Sequence, residues 1–168
     1  MNISMYQASA PRFANILTNL STILDKAQAH VESRKIDPAA LTTYRLYPDM
    51  YPLARQVQIA CDRAVAAVAH LAGVEVPTYE DTEQTFPELK ARIAKAIEFV
   101  QSIRPEQIDG TEDKDIRLKR HGRDTTLTGM QYLLGNAIPH FYFHVTTAYN
   151  ILRHNGVEIG KRDYLGNP

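Results

Sequence analysis

From Phe13 the apolar residues fall at Ile16, Leu17, Leu20, Ile23, Leu24, Ala27 and Val31, the three-four alternation of one helix face. Ser9 stands where an N-cap is expected, Pro11 is tolerated in the first turn, and Pro38 in KIDPAAL breaks the pattern. A second run, PDMYPLARQVQIACDRAVAAVAHLAG, opens at Pro48 and Asp49 and ends at Gly73, with Leu53, Val57, Ala60, Cys61, Ala64, Val65, Val68 and Leu71 facing inward. Its alanines raise helix propensity and let a neighbouring helix approach closely. Thr85 to Glu88, TFPE, reads as a capping box, and Phe86, Leu89, Ile93, Ala96, Ile97 and Val100 form the stripe of a third helix closed by Arg104-Pro105.

The helical period then disappears until Thr128. Ile116, Leu118, Thr125 and Leu127, placed around His121-Gly122, predict a short two-stranded hairpin. A fourth helix follows from about Gly129 to Asn155, stopped by Gly156, with Leu134, Ala137, Ile138, Phe141, Val145, Ala148, Tyr149 and Leu152 inward. Pro139 lies well inside it, where it removes a backbone donor and crowds the carbonyl of Gly135, so a kink is expected just before His140. The pattern implies an all-α four-helix bundle with a short β-hairpin between helices three and four, as one domain over residues 1–168.

Composition narrows the partners. Hydrophobic residues at 44% and charged residues at 23% suit a folded globular chain. Nineteen basic residues balance nineteen acidic ones, so no global field draws the chain to nucleic acid or an anionic membrane. The basic run IRLKRHGR sits in a stretch where Arg104, Lys114, Arg117, Lys119, Arg120 and Arg123 are matched by Glu106, Asp109, Glu112, Asp113, Asp115 and Asp124, which favours a solvated hairpin over a phosphate contact. Cys61 is the single cysteine, which excludes an internal disulfide and fits a cytoplasmic protein. No stretch approaches the roughly 18 apolar residues of a membrane span, and no signal sequence is evident.

The candidate chemistry centres on PHFYFHVTTAYNILRHNG. His140 and His144 are one turn apart on one helix face, at the edge of the apolar arc, where groups lining an interhelical cleft belong. Such a pair could present two imidazoles to one ion, but buried histidines are as readily packing groups satisfied by hydrogen bonds. A third ligand would come from helix two, where Gln56, Gln58 and Asp62 interrupt the apolar pattern; Asp62 is chemically the best of them, unless it and Arg63 simply solvate the outer face, and Gln56 suits an imidazole or substrate hydrogen bond. Cys61, among Ala60, Ala64 and Val65, reads as a small buried hydrophobe, and His154 as a helix-end cap. Tyr142 and Phe143 project off the centre of the inward arc, which would suit a dimer seam, although a tail packed over the bundle would hide them equally well.

The string PHFYFHVTTAYNILRHNGVEIGKRDYLG, with PDMYPLARQVQIACDRA upstream, resembles an uncharacterised bacterial domain family related to the DinB/YfiT-like four-helix bundles. The resemblance implies an all-α bundle, commonly a homodimer, with a pocket at one end. In metal-binding relatives a histidine on the second helix joins an HxxxH pair on the last helix to hold a divalent ion, and some are thiol-dependent transferases. His140 and His144 match that pair, whereas Gln56 stands where the helix-two histidine belongs, and the closer family often has Asn at the position of His140. Two readings follow. One is a divalent-metal-assisted (Zn, Ni, Fe or Mn) transferase or hydrolase with metal on His140 and His144 and a pocket lined by Gln56 and Asp62. The other is a non-catalytic, metal-free dimeric binding or scaffold protein whose histidines are hydrogen-bonded pocket groups; a small-molecule ligand, if it takes one, is not identified by the sequence.

Overall fold

The computed structural model describes residues 3–120 and 122–166. Four long helical segments carry the architecture: α2 (Ala10–Arg34), α4 (Leu53–Ala72), α5 (Phe86–Ser102) and a final stretch made of α7 (Gly129–Tyr132), a π turn (Leu133–Ala137) and α8 (Ile138–His154). Short helices α1 (Met5–Ala8), α3 (Ala39–Thr42), α6 (Pro105–Ile108) and α9 (Lys161–Leu165) fill the ends, and strands β1 (Asp115–Arg120) and β2 (Arg123–Thr128) pair antiparallel. The bundle is built by α4 against α8, α2 against α5, and α4 against α5.

The predicted apolar faces are the ones buried. Leu17, Leu20, Leu24, Ala27 and Val31 of α2 are inaccessible, as are Val57, Ala60, Ala64 and Val68 of α4 and Leu89, Ile93, Ala96 and Val100 of α5. Phe13 meets Phe141 edge to face at 4.9 Å, locking α2 onto α8. Cys61 is buried, and the loss of solvent pushes its thiol well above the usual range. No helix among the described residues is long and apolar enough to cross a membrane.

Helix ends follow local chemistry. Thr85 Oγ1 accepts from the Glu88 N–H while Glu88 Oε2 accepts from the Thr85 N–H at 2.9 Å, the capping box read from TFPE. Ser9 is the N-cap residue of α2, but its hydroxyl turns back to donate to the Met5 carbonyl at 2.7 Å and makes no cap bond. Helix α4 opens at Leu53, not at Pro48-Asp49 as the sequence predicts, because the chain turns through Tyr47–Met50 and Pro52 stays extended. Pro105, predicted to close the third helix, also starts α6.

The hairpin pairs Ile116 with Leu127 and Leu118 with Thr125, the register its alternation implies; His121, predicted in its turn, lies outside the described residues. Gly129 fastens the hairpin to the last helix. A Cβ there would lie 2.0 Å from the Thr111 carbonyl oxygen, and the next N–H, of Met130, donates to Glu112 O at 2.8 Å.

The last helix departs from the sequence reading in phase. Pro139 offers no N–H, and the helix widens immediately before it: the Ile138 N–H bonds to Leu133 O, an i→i+5 link. One extra residue per turn rotates everything upstream. Leu134, predicted inward, is therefore 54% exposed, and Leu133 takes the core position. Ile138 and Tyr149, also predicted inward, are only partly buried.

Candidate functional site

The site lies where α4 packs against the last helix. His144 is buried, and its Nδ1 stands 2.7 Å from Gln56 Oε1. The Gln56 amide nitrogen donates to the Tyr51 carbonyl at 3.1 Å, which leaves its oxygen to face the ring. That chain of bonds assigns the proton of His144 to Nδ1 and leaves Nε2 with its lone pair. Burial, and then the neighbouring His140, Arg63 and Arg55, push the proton affinity of His144 down to about 4, so the imidazole is neutral near pH 7. His140 sits one turn earlier with ring centroids 5.1 Å apart and planes tilted by 34°.

His140 also lines a cavity of about 230 Å³ together with Arg63, Ala66 and His70 of α4, Leu118 of β1, Tyr132 and Asn136. His70 and Tyr132 stack edge to face at 5.6 Å. Burial, then Arg63 and Lys114, depress the proton affinity of His70, and burial pushes the Tyr132 hydroxyl up to about 12. Both groups are neutral hydrogen-bonding elements under ordinary conditions. Lys114 Nζ donates to the Leu71 carbonyl at 2.9 Å, capping the end of α4.

Asp62, predicted alongside the histidines, is committed elsewhere. Its Oδ1 accepts from Arg92 Nη2 at 2.6 Å, and Arg92 also reaches Glu83 at 3.0 Å, Asp81 at 3.4 Å and the Glu80 carbonyl at 3.2 Å while lying 4.4 Å over the Tyr79 ring. This network ties the 74–85 connection onto α4 and α5. Asp62 borders a second cavity of about 250 Å³ with Tyr79, Thr78 and Val76; Arg63 and Ala66 border both cavities.

The structure thus joins Gln56 to His144 and places His140 beside it, and turns Asp62 away. Arg63, His70, Tyr132 and Asn136 were missed by sequence reasoning. The signal was present: Gln56, Arg63 and His70 recur every seven residues along an otherwise apolar α4, opposite Asn136, His140 and His144 spaced by four.

Among the described residues the donors do not complete a protein-held cation site. Catalytic zinc sites take three protein ligands, and among the described residues no group of three His, Cys, Asp or Glu is placed to hold an ion.

Residues 5–165 match the family described as "Domain of unknown function (DUF1993)". A crystal structure of a DinB family member protein from Shewanella denitrificans is 41% identical, covers 97% of this chain and 92% of its own, and superposes with a TM-score of 0.88. No curated protein matches the chain.

Proposed function

We propose, from the premise that this chain belongs to the DUF1993 family and is related to the DinB proteins, that it binds a small molecule in the cleft between α4 and the last helix. The observation that carries this reading is the Gln56–His144 bond. A buried polar pair is costly unless satisfied, and this one fixes a neutral imidazole in a single tautomer beside a cavity that His140 lines. Such a ring accepts a hydrogen bond from a ligand's hydroxyl or thiol, a contact that would orient the substrate of a transferase or hydrolase here.

A divalent cation on His140 and His144 is the second reading. One observation favours it: donation of the second ring N–H to an oxygen acceptor is the usual support of a metal-ligating histidine. With two imidazoles only, an ion would rely on the ligand or water for its remaining positions.

Elemental analysis of gently purified protein beside His144→Ala separates the two. Metal-free wild type that still binds fragments in this cleft, by nuclear magnetic resonance, supports the first reading. Stoichiometric metal lost in the variant replaces it with the second.

The chain is further proposed to form a homodimer. Met130, Leu134 and Phe143 on the last helix are 40%, 54% and 56% exposed, the kind of apolar surface that self-association covers. Sedimentation equilibrium checks this, with Phe143→Asp expected to dissociate the dimer; a wild type monomeric at every concentration overturns it.

A further inference from the structure

We propose that the cavity walled by Arg63, His70, Tyr132, Asn136 and His140 is an oxyanion site that receives the carboxylate or phosphate group of a small ligand. The inference rests on the small-molecule reading above and adds the charge of the ligand. Arg63 lines the cavity wall yet makes no hydrogen bond or ion pair with any described residue. The adjacent acid, Asp62, is held by Arg92. An arginine left without a carboxylate at a cavity presents a planar fork of N–H donors whose geometry matches carboxylate and phosphate.

The rest of the wall agrees in sign. Among the described residues no Asp or Glu lines this cavity, whereas His70, Tyr132 and Asn136 each carry an N–H or O–H donor. Arg63 acts on its neighbours: it opposes protonation of His70 and favours ionisation of Tyr132. Those effects describe a positive potential, to which Lys114 adds at His70. The second cavity, which Arg63 also borders, has Asp62 in its wall and lacks this character. At about 230 Å³ the cavity is smaller than the roughly 300–1,000 Å³ of drug-sized sites, which fits a small anion or the anionic end of a ligand.

The test is a titration of isotopically labelled full-length protein with sodium phosphate, with succinate, and with neutral succinamide, at ionic strength held constant with sodium chloride. Signals of the His70 ring and the amides of residues 63–70 and 132–140 are followed. A saturable shift with phosphate or succinate is expected, weakened about tenfold by Arg63→Gln and unchanged by Arg34→Gln, which lines a different cavity. Melting curves of both variants should overlay that of the wild type. Response to phosphate alone or to succinate alone supports the site and identifies its oxyanion. Shifts with succinamide but neither anion, or anion shifts indifferent to Arg63→Gln, overturn the oxyanion assignment and leave the small-molecule reading standing. If neither the anions nor a neutral fragment library produces a saturable shift, both fall.

Discussion

Arg92 and Arg63 stand on neighbouring helices, and Asp62 lies between them in effect: it immediately precedes Arg63 along α4 and pairs with Arg92. Arg92 is 2% exposed and surrounded by Asp62, Asp81, Glu83 and a backbone carbonyl. Arg63 is exposed and has none of these. The difference teaches where charge is structural. A buried cation must be matched within the fold, since removing one member of such a group leaves the others uncompensated. A cation at a cavity rim can wait for its counter-charge to arrive. Arg92 closes a loop; Arg63 leaves a valence open.

The comparison breaks most clearly at Arg92. Arg92→Ala should lower the unfolding free energy by about 3 kcal/mol, the low end for a buried ion network because its carboxylates keep some solvent, as read by urea denaturation. Arg92→Lys should recover little, because one ammonium cannot span Asp62 and Glu83. A loss below about 1 kcal/mol would mean the network is not structural.

The next largest effect is pH dependence at His144. Its folded proton affinity lies near 4, below the ordinary 6.5, so between those values the unfolded chain binds a proton that the folded one refuses. Stability is therefore full above about pH 6.5, falls as pH drops toward 4, and levels beyond, by up to about 3 kcal/mol. The difference in unfolding free energy between wild type and His144→Gln across that window isolates this contribution; a flat difference refutes it. His70 shifts in the same direction and remains in both proteins.

Gln56→Leu should cost about 1–3 kcal/mol by leaving the His144 Nδ1–H without an acceptor. It should also erase the single tautomer, which long-range proton–nitrogen spectra of the ring report directly. Arg63→Gln sharpens the comparison from the other end: its unfolding free energy should stay within about 0.5 kcal/mol of wild type, so that an arginine which matters for anion binding scarcely matters for folding.

Much of this was readable from the chain. The stripes of α2, α4 and α5 are local facts of spacing, the Thr85–Glu88 box is a local fact of chemistry, and the pairing of Ile116 with Leu127 follows from alternation about a turn. His144 and Gln56 were singled out as polar interruptions of apolar faces, and they meet. Asp62 borders the second cavity, and what the sequence did not disclose is its partner, thirty residues away on α5, a pairing no local pattern announces. Arg63 and His70 were passed over because each looks, singly, like ordinary helix surface; only their seven-residue recurrence with Gln56 places them on one line facing the last helix. Leu134 was placed inward because a single helical wheel was carried through Pro139.

The π turn at Leu133–Ala137 also bears on how this gene can change. Between Tyr132 and Ile138 the helix spends one codon more than an α-helix needs, so residues before and after it belong to two wheels with different zeros. Deleting one codon there would swing Tyr132 and the hairpin carrying Leu118 about the helix axis by about 100° relative to His140. One wall of the cavity would be reset against the other without a substitution in either. The spacing of the two walls is thus written as a residue count, and insertions or deletions in five positions can retune a site whose own side chains stay the same.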